Sequence, residues 1–487
     1  MIRDASPAVG VRRRSVMTGL GLTTASSWVG TGPAAASAPG DSAGSGTGRG
    51  RVHLVRGTLL HFLDDPGDPP DPQAWQLFED GVLAIGPDGR VVWAGPARRV
   101  PDRLRAGATH TDHRGKLIVP GFVDTHVHSS QVDVIASYGE QLLPWLNTYV
   151  FPAEARFADP EHARTTSGFF LDRLLAAGTT TASVHPTVHP VSVDAFFAEA
   201  ADRDLRMLCG KVLMDREPYA PSYLRDRSVD DAERATRELI DRWHGKGRLG
   251  YSVTPRFAPT STKRMLAMVG RLLRERGDLW LQTHLAENKD EVALVKRLFG
   301  GRSYVDVYDR YGLVTGKSLF AHGVHIDAAD RRRLALAGSA LGFCPTSNLF
   351  LGSGLFDLHA ARRHKVKTGM GTDVGGGTSY SILRTLGEGY KVTALRGRRL
   401  SAYAGFYLAT LGGARALGLD SHIGNFAPGK EADFTVLDWA ATPTLARRTE
   451  VAETFAERLF ALMMLGDEQA VAATYVKGRR VPTRDGG

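Results

Sequence analysis

Short apolar runs recur along the chain from Phe122 onward, and longer stretches that mix apolar and charged residues separate them. Within several of these longer stretches apolar residues return every three or four positions, which is typical of a helix with one buried face. The short runs are typical of buried β-strands. The predicted strands are 122–128, 179–185, 205–214, 249–257, 279–287, 318–325, 340–348 and 365–373, and the predicted helices include 159–177, 229–244, 261–276 and 289–298.

This alternation predicts an α/β fold, because eight strand–helix units are the number that closes a parallel (β/α)8 TIM barrel. We place the barrel in residues 119–423. Residues 51–118 and 424–483 instead contain short strands and turns, and we expect the two chain ends to pair into one small β-sandwich domain. The strands predicted there are 51–60, 81–85, 90–94, 429–437 and 469–481.

The N-terminal residues are typical of an export signal. Arg12, Arg13 and Arg14 precede an apolar stretch that extends to Val29 and is followed by an alanine-rich segment. This stretch is short and rich in Gly, Ser and Thr, so it is a poor membrane-spanning helix. We predict a twin-arginine signal peptide in residues 1–36 and a flexible linker in 37–50, and hence an exported protein. The alternative is a disordered extension on a cytoplasmic protein.

Length and composition fit an enzyme with two structural parts. The 487 residues exceed what one core usually holds, and the hydrophobic content of 43% is ample for burial. The formal charge of +9 comes from arginines and lysines scattered in helical stretches such as 331–333 and 396–399, without interleaved aromatic residues. We therefore expect neither nucleic-acid binding nor stable membrane association. Cys209 and Cys344 lie in apolar runs and are predicted to be buried thiols.

Metal-competent side chains stand at the ends of several predicted strands. His126 and His128 are one residue apart and share a face of their strand, because strand side chains alternate. His284, His322 and Asp373 each follow an apolar run in the same way. Catalytic groups in a TIM barrel gather at the C-terminal ends of the strands. The pattern therefore predicts a metal-activated hydrolase site.

Several motifs along the chain give this site a family resemblance. The chain resembles the guanine deaminases of the amidohydrolase superfamily, with the matching segments in the family's order. The HxH and GTD segments mark the superfamily, whereas Gln131, FPAE and TPRF point to guanine. The segments are 120–131 (PGFVDTHVHSSQ), 151–154 (FPAE), 254–257 (TPRF), 283–291 (THLAENKDE), 321–323 (AHG), 344–348 (CPTSN), 371–376 (GTDVGG) and 409–414 (ATLGGA).

The resemblance implies one zinc ion per chain, bound by His126, His128, His284 and Asp373. Three imidazoles and one carboxylate are good zinc ligands, and a catalytic site keeps a further position for water. In two-metal members of the superfamily a carboxylated lysine bridges the ions, and Lys211 lies in a strand-like run where such a lysine would stand. The resemblance to guanine deaminases favours the single-metal alternative.

The resemblance also implies the catalytic roles. Glu287 would protonate guanine N3 and deliver a proton to the departing amine, and its pKa should be raised by burial so that it exchanges protons near neutral pH. Asp373 would accept a proton from the attacking water in addition to binding the metal. His322 would orient that water.

The substrate contacts implied by the resemblance involve four further residues and Glu287. Arg256 would donate to guanine O6, Gln131 would contact the purine edge, and Phe257 and Trp145 would pack on its flat faces. The implied reaction is the hydrolysis of guanine to xanthine and ammonia. The resemblance further implies a homodimer.

Two alternatives remain open at the level of sequence. The chain could deaminate another ring, such as a pterin, cytosine, a triazine or an adenosine derivative. It could also be an exported purine-binding protein without catalysis, although such a protein has no need of Glu287. His185, His189 and His325 lie near predicted strands two and six and are candidates for the pocket wall.

Overall fold

A computed structural model describes residues 50–139, 141–300 and 303–482. The predicted signal peptide lies outside the described residues, as does the predicted linker except for Gly50. No helix in these described ranges is both long and apolar enough to cross a membrane.

The chain begins with strands of a small mixed sheet, continues through the barrel and returns to the sheet. The first strands are β1 His53–Phe62, β2 Trp75–Ile85, β3 Val91–Pro96 and β4 Thr109–Pro120. The barrel strands are β5 Phe122–His128, β6 Thr179–His185, β7 Arg206–Cys209, β8 Val212–Leu213, β9 Gly250–Pro255, β10 Trp280–Leu285, β11 Ser318–His322, β12 Ala340–Phe343 and β13 Lys367–Met370. The last strands are β14 Phe434–Leu437, β15 Val471–Val476 and β16 Arg479–Arg480.

The predicted fold class is confirmed. The barrel strands pair in parallel in the order β5-β6-β7-β9-β10-β11-β12-β13, with β8 beside β9. Backbone bonds from Asp373 N to His126 O (2.8 Å) and from His128 N to Val374 O (2.9 Å) join the last segment to β5 and close the barrel. Hydrogen bonds also link strands from both chain ends into one sheet, in the order β16-β15-β14-β4-β1-β2-β3.

Helices surround the barrel and follow most of its strands. Many begin at Ser, Thr, Asp or Asn side chains that cap the first free amides, and α8 has a complete capping box between Asn288 and Glu291. Two π-helical segments, Leu146–Val150 and Leu408–Gly412, join α2 to α3 and α14 to α15. The helices are α1 Asp102–Arg105, α2 Leu142–Trp145, α3 Phe151–Ala155, α4 Pro160–Ala176, α5 Pro190–Asp202, α6 Val229–Trp243, α7 Lys263–Glu275, α8 Lys289–Phe299, α9 Tyr304–Arg310, α10 Ala328–Ala337, α11 Pro345–Phe350, α12 Leu358–Arg363, α13 Ile382–Leu395, α14 Ala402–Tyr407, α15 Gly413–Ala416, α16 Pro443–Glu450 and α17 Phe455–Leu465.

Two features of the strands differ from the sequence prediction. The third barrel strand, predicted as 205–214, is interrupted at Gly210 and Lys211. A side chain at Gly210 would place Cβ 1.8 Å from Ser252 O of the neighbouring strand, so the backbone there requires glycine. Strand β4 was not predicted, because its first half is polar, and it carries the small sheet to Pro120, just beyond the predicted boundary at residue 118.

Buried ion pairs connect the small sheet to the N-terminal ends of the barrel strands. Arg206 Nε donates to Glu431 Oε2 at 2.8 Å, and Arg248 Nε donates to the same oxygen at 3.0 Å. Arg248 also donates to Asp433. These contacts lie at the end of the barrel opposite to the residues predicted to be catalytic. Cys209 and Cys344 are free and buried, as predicted.

Candidate active site

The structure brings all ten predicted site residues to the C-terminal ends of the barrel strands. His126 and His128 lie on β5, His284 on β10 and His322 on β11, whereas Arg256 directly follows β9 and Asp373 lies three residues after the end of β13. Eight of the ten line one pocket. His126 and His322 lie beneath it, against Asp373. The eight are Gln131, His128, Trp145, Arg256, Phe257, His284, Glu287 and Asp373.

The predicted metal ligands converge on one point. Asp373 Oδ1 lies 3.1 Å from His126 Nε2 and 3.2 Å from His128 Nε2. His128 Nε2 lies 3.2 Å from His284 Nε2. Ligand atoms about 2.0–2.1 Å from a tetrahedral zinc ion are separated by roughly 3.3 Å. The donor set and its spacing therefore fit a single small cation, and the structure contains a possible His/Asp metal site.

Neighbouring groups hold these ligands in orientation. His284 Nδ1 lies 2.7 Å from Arg256 O, and a hydrogen bond to this carbonyl leaves the Nε2 lone pair facing the cluster. Asp124 accepts a hydrogen bond from the His126 amide at 3.1 Å and another from the Thr372 amide at 3.1 Å. Asp124 thereby ties the strand that bears the two histidines to the segment that bears Asp373.

Lys211, the candidate for a bridge between two ions, is held in a buried ion pair. Its ammonium donates to Asp226 and to Val212 O (3.2 Å), and its side chain is buried with this partner. An ion-paired ammonium is not poised for carboxylation. The geometry therefore supports the single-metal alternative.

Burial and mutual contact set the protonation of the cluster. Burial lowers the pKa of His128 to about 4 and that of His322 to about 3, and it holds the pKa of His284 well below its usual value. Burial alone would raise the pKa of Asp373, but His126 and His128 hold it well below its ordinary range. Neutral imidazoles beside an ionised carboxylate are the protonation states that a metal ion requires.

The pKa of Glu287 is shifted in the opposite direction to that of Asp373. Burial, then the charge of Asp373, raises the pKa of Glu287 well above its usual value. Its Oε1 accepts a hydrogen bond from the Ser353 hydroxyl at 3.0 Å, and its Oε2 lies 3.4 Å from His322 Nε2. Two neighbouring carboxyl groups with separated pKa values are typical of an acid and a base with distinct roles.

The orientation of His322 depends on Asn348. The amide nitrogen of Asn348 lies 2.9 Å from His322 Nδ1. With Asn348 as donor, Nδ1 accepts, and the hydrogen of the neutral ring is on Nε2, which faces Glu287 and Asp373. His322 also has φ of 70°, and Asp373 has φ of 52°, a backbone conformation uncommon for residues other than glycine.

Arg256 is held by a buried carboxylate. Its Nη1 lies 2.8 and 2.7 Å from the two oxygens of Glu154, whose side chain is fully buried. Glu154 Oε1 also accepts from Gln131 Nε2 at 3.2 Å, and Gln131 Oε1 accepts from Gly375 N at 3.3 Å. Two of the polar residues predicted to contact the substrate, Arg256 and Gln131, are thus fixed by one carboxylate.

Apolar side chains form the remaining walls of the pocket. Trp145 and Phe257 are buried and line it together with Leu142 and Leu146. Trp145 and both leucines come from the helical segment that continues from α2, and Trp145 Nε1 has no hydrogen-bond partner among the described residues. The pocket therefore combines apolar side chains with the polar groups described above.

Three residues that the structure places beside the site had no role predicted from the sequence. Glu154, Asn348 and Ser353 contact Arg256, His322 and Glu287, respectively. Glu154 and Asn348 lie in the FPAE and CPTSN motifs, so a buried polar residue within a recognised motif was the available signal. Ser353 lies outside the motifs and had no signal.

Comparisons with known proteins identify the family of the chain. The amidohydrolase family model matches residues 117–481. Guanine deaminase from Escherichia coli strain K12 is 49% identical, over 90% of this chain and 100% of that protein. Guanine deaminase from Homo sapiens is 32% identical, over 88% and 96% of the respective chains.

Solved structures give the same result. The E. coli guanine deaminase structure has a TM-score of 0.83 at 48% identity and covers 89% of this chain and 99% of that one. Guanine deaminase from Bradyrhizobium japonicum has a TM-score of 0.84 at 37% identity, over 89% and 100%. The chain belongs to the amidohydrolase family. Within that family, these similarities are to proteins named guanine deaminase.

Proposed function

We propose that this protein hydrolyses guanine to xanthine and ammonia, with one zinc ion held by His126, His128, His284 and Asp373. The observation that carries the proposal is the Glu154-held pair of Arg256 and Gln131 beside the metal-competent cluster. Arg256 and Gln131 line the same pocket as the metal-competent cluster. A ring that bears a carbonyl group could therefore bind these donors while it lies beside the hydrolytic centre. The names of the similar proteins support the same substrate.

The chemistry requires a water molecule to replace an amine. The water oxygen bonds to guanine C2, the bond from C2 to the exocyclic amine breaks, one water proton ends on ring N3 and the other on the departing ammonia. A bound zinc ion would lower the pKa of water to about 7 and so make this attack feasible near neutral pH.

Glu287 and Asp373 divide the proton transfers. Asp373 is held ionised and can accept a proton from the attacking water. Glu287 is held protonated, so it can donate to N3 as the ring accumulates charge and then pass a proton to the amine. His322, with its Nε2 hydrogen directed at these carboxylates, would orient the water between them.

Arg256 and Gln131 would select the ring. The guanidinium suits O6, which gains electron density as C2 is attacked, and Phe257 and Trp145 would pack against the purine faces. A site built to bond a carbonyl discriminates strongly against rings that lack one, because its buried donors are then left unpaired.

The test is ammonia release by the purified chain, with zinc quantified, across guanine, cytosine, adenosine, pterins and a triazine. We expect preferential release from guanine with about one zinc per chain. Release from another ring alone would contradict the guanine assignment while preserving the metal site. No release from any ring with zinc bound would indicate a purine-binding protein without catalysis.

We further propose export by the twin-arginine route, which residues Arg12, Arg13 and Arg14 and the following apolar stretch support. Cell fractionation should find the activity outside the cytoplasm, and replacement of Arg13 and Arg14 by lysine should retain it inside. Wholly cytosolic activity of a chain that keeps residues 1–36 would contradict the proposal.

The resemblance also supports a homodimer, which we propose for the solution state. Sedimentation equilibrium should give twice the mass of the chain. A mass equal to one chain at micromolar concentration would contradict this.

A further inference from the structure

His185 lies at the end of β6, inside the barrel and in contact with the predicted metal ligands. Its ring centre is 4.8 Å from that of His126, 4.9 Å from that of His128 and 4.9 Å from that of His284. The other three separations are 4.9, 4.7 and 5.2 Å. Four imidazole rings therefore stand at the corners of a nearly regular tetrahedron.

The size of this tetrahedron fits a bound ion. A point equidistant from four centres at these separations lies about 3 Å from each of them, and a zinc ion bonded to an imidazole nitrogen at about 2.0–2.1 Å lies at a similar distance from the ring centre. Three of the four rings already belong to the proposed metal site. His185 occupies the fourth corner.

The nitrogens of His185 lack any other partner. The side chain is fully buried, and neither Nδ1 nor Nε2 has a hydrogen-bond partner among the described residues. A buried polar atom without a partner is costly and calls for a ligand that satisfies it. A half-turn of the ring about the Cβ–Cγ bond exchanges its nitrogens with ring carbons and preserves its outline, so either edge can present nitrogen to the cluster.

We propose that His185 is an additional ligand of the metal ion, which would then be surrounded by four imidazoles and the carboxylate of Asp373. This rests on the proposed metal site but not on the identity of the substrate. A nitrogen-rich site favours zinc, copper, nickel or iron over magnesium, calcium or manganese. The additional ligand would also raise the coordination number of the ion.

The test compares His185→Phe with the unmodified chain by metal retention and by the visible spectrum of the cobalt-substituted protein. Each is dialysed against graded chelator, and metal per chain is measured. We expect His185→Phe to lower metal affinity by at least about tenfold, as loss of a group that supports a metal site does. The cobalt absorption bands should change in intensity, because they depend on coordination number.

The matched control is His189→Phe. His189 lies four residues further along, at the start of α5, and its Nε2 is also buried without a hydrogen-bond partner among the described residues. This variant should keep the metal affinity and cobalt spectrum of the unmodified chain. Unchanged affinity and spectrum in His185→Phe would overturn the proposal.

Folding is monitored in the metal-free proteins. Phenylalanine removes two unpartnered nitrogens, so metal-free His185→Phe should melt no lower than the metal-free unmodified chain, whereas its rise in Tm on adding zinc should be smaller. If this variant fails to fold, His185→Gln is measured in the same way and decides by the same two readouts. A zinc-loaded unmodified chain that does not deaminate guanine contradicts the proposed function but leaves these outcomes intact.

Discussion

At the scale of single residues, Glu287 differs from Asp373 in its pKa. Burial raises the pKa of Glu287 and so favours its protonated form, whereas the pKa of Asp373 is lowered. Glu287 lies three positions after His284 yet faces His322 and Ser353 instead of the metal cluster. Its role should therefore be separable from metal binding.

Glu287→Gln is expected to lower kcat by roughly 10²–10⁴-fold, the usual contribution of general acid–base catalysis, because an amide cannot transfer the proton. Zinc content should be unchanged, as measured by elemental analysis. The control is Asp373→Asn, which should lose metal as well as activity. Loss of zinc from Glu287→Gln would show that Glu287 is a ligand.

Glu154 is expected to act through Arg256 and Gln131, without contact to the reacting atoms. Glu154→Gln keeps the shape but removes the charge that orients the guanidinium, so kcat/KM for guanine should fall by about tenfold or more, corresponding to about 1.4 kcal/mol or more. Arg256→Lys keeps a charge but loses the planar guanidinium that Glu154 holds, and kcat/KM should fall similarly. Unchanged guanine kinetics in both variants would contradict the recognition argument.

At the scale of elements, helix α8 carries a buried carboxyl group at its N-terminus. Glu291 Oε2 accepts the amides of Glu287 (2.8 Å) and Asn288 (3.2 Å). Burial raises its pKa from 4.5 to about 7. The folded chain thus binds this proton more tightly than the unfolded chain, so the stability it contributes is present below pH about 4.5 and is lost as pH rises through about 7.

Glu291→Gln should flatten this pH dependence, because the amide does not ionise. The free energy of unfolding is measured with urea at pH 5 and at pH 8. Its decrease between these two pH values should be about 3 kcal/mol smaller in Glu291→Gln than in the unmodified chain. Glu457→Gln is the matched control, since Glu457 occupies the same position in α17 but is exposed. Parallel pH profiles for the unmodified chain and Glu291→Gln would contradict the assignment.

The sequence could predict elements whose pattern is local. The barrel strands were predicted because each is an apolar run, and the ends of these runs placed His128, His322 and Asp373 correctly within the fold. Strand β4 was missed because its first half is polar and is held in place by pairing with β1, whereas its apolar end pairs with β14, which lies more than 300 residues away. The partner of Arg256 was missed for the same reason, since Glu154 is 102 residues away.

At the scale of the whole molecule, the two ends of the barrel have different tasks. The C-terminal ends of the strands hold the site, where polar groups are strained or unpaired. The N-terminal ends hold the buried ion pairs of Arg206 and Arg248 with the small sheet. The ion pairs at the N-terminal ends of the strands stabilise the fold, and the C-terminal ends can therefore carry the strained and unpaired polar groups of the site.

Arg248→Ala should therefore destabilise the fold by about 3–5 kcal/mol, because it leaves Glu431 and Asp433 buried with one charged partner fewer. Urea unfolding measures the loss, and kcat at a temperature where the variant is folded should be unchanged, since Arg248 lies at the opposite end of the barrel. Arg447→Ala removes an exposed pair with Glu450 and should cost less than about 1 kcal/mol. The pKa of Glu431 is lowered by Arg206 and Arg248 against the opposing effect of burial, so its contribution is present above pH about 4.5 and is lost as pH falls. Equal losses in the two variants would show that this interface does not hold the small sheet to the barrel.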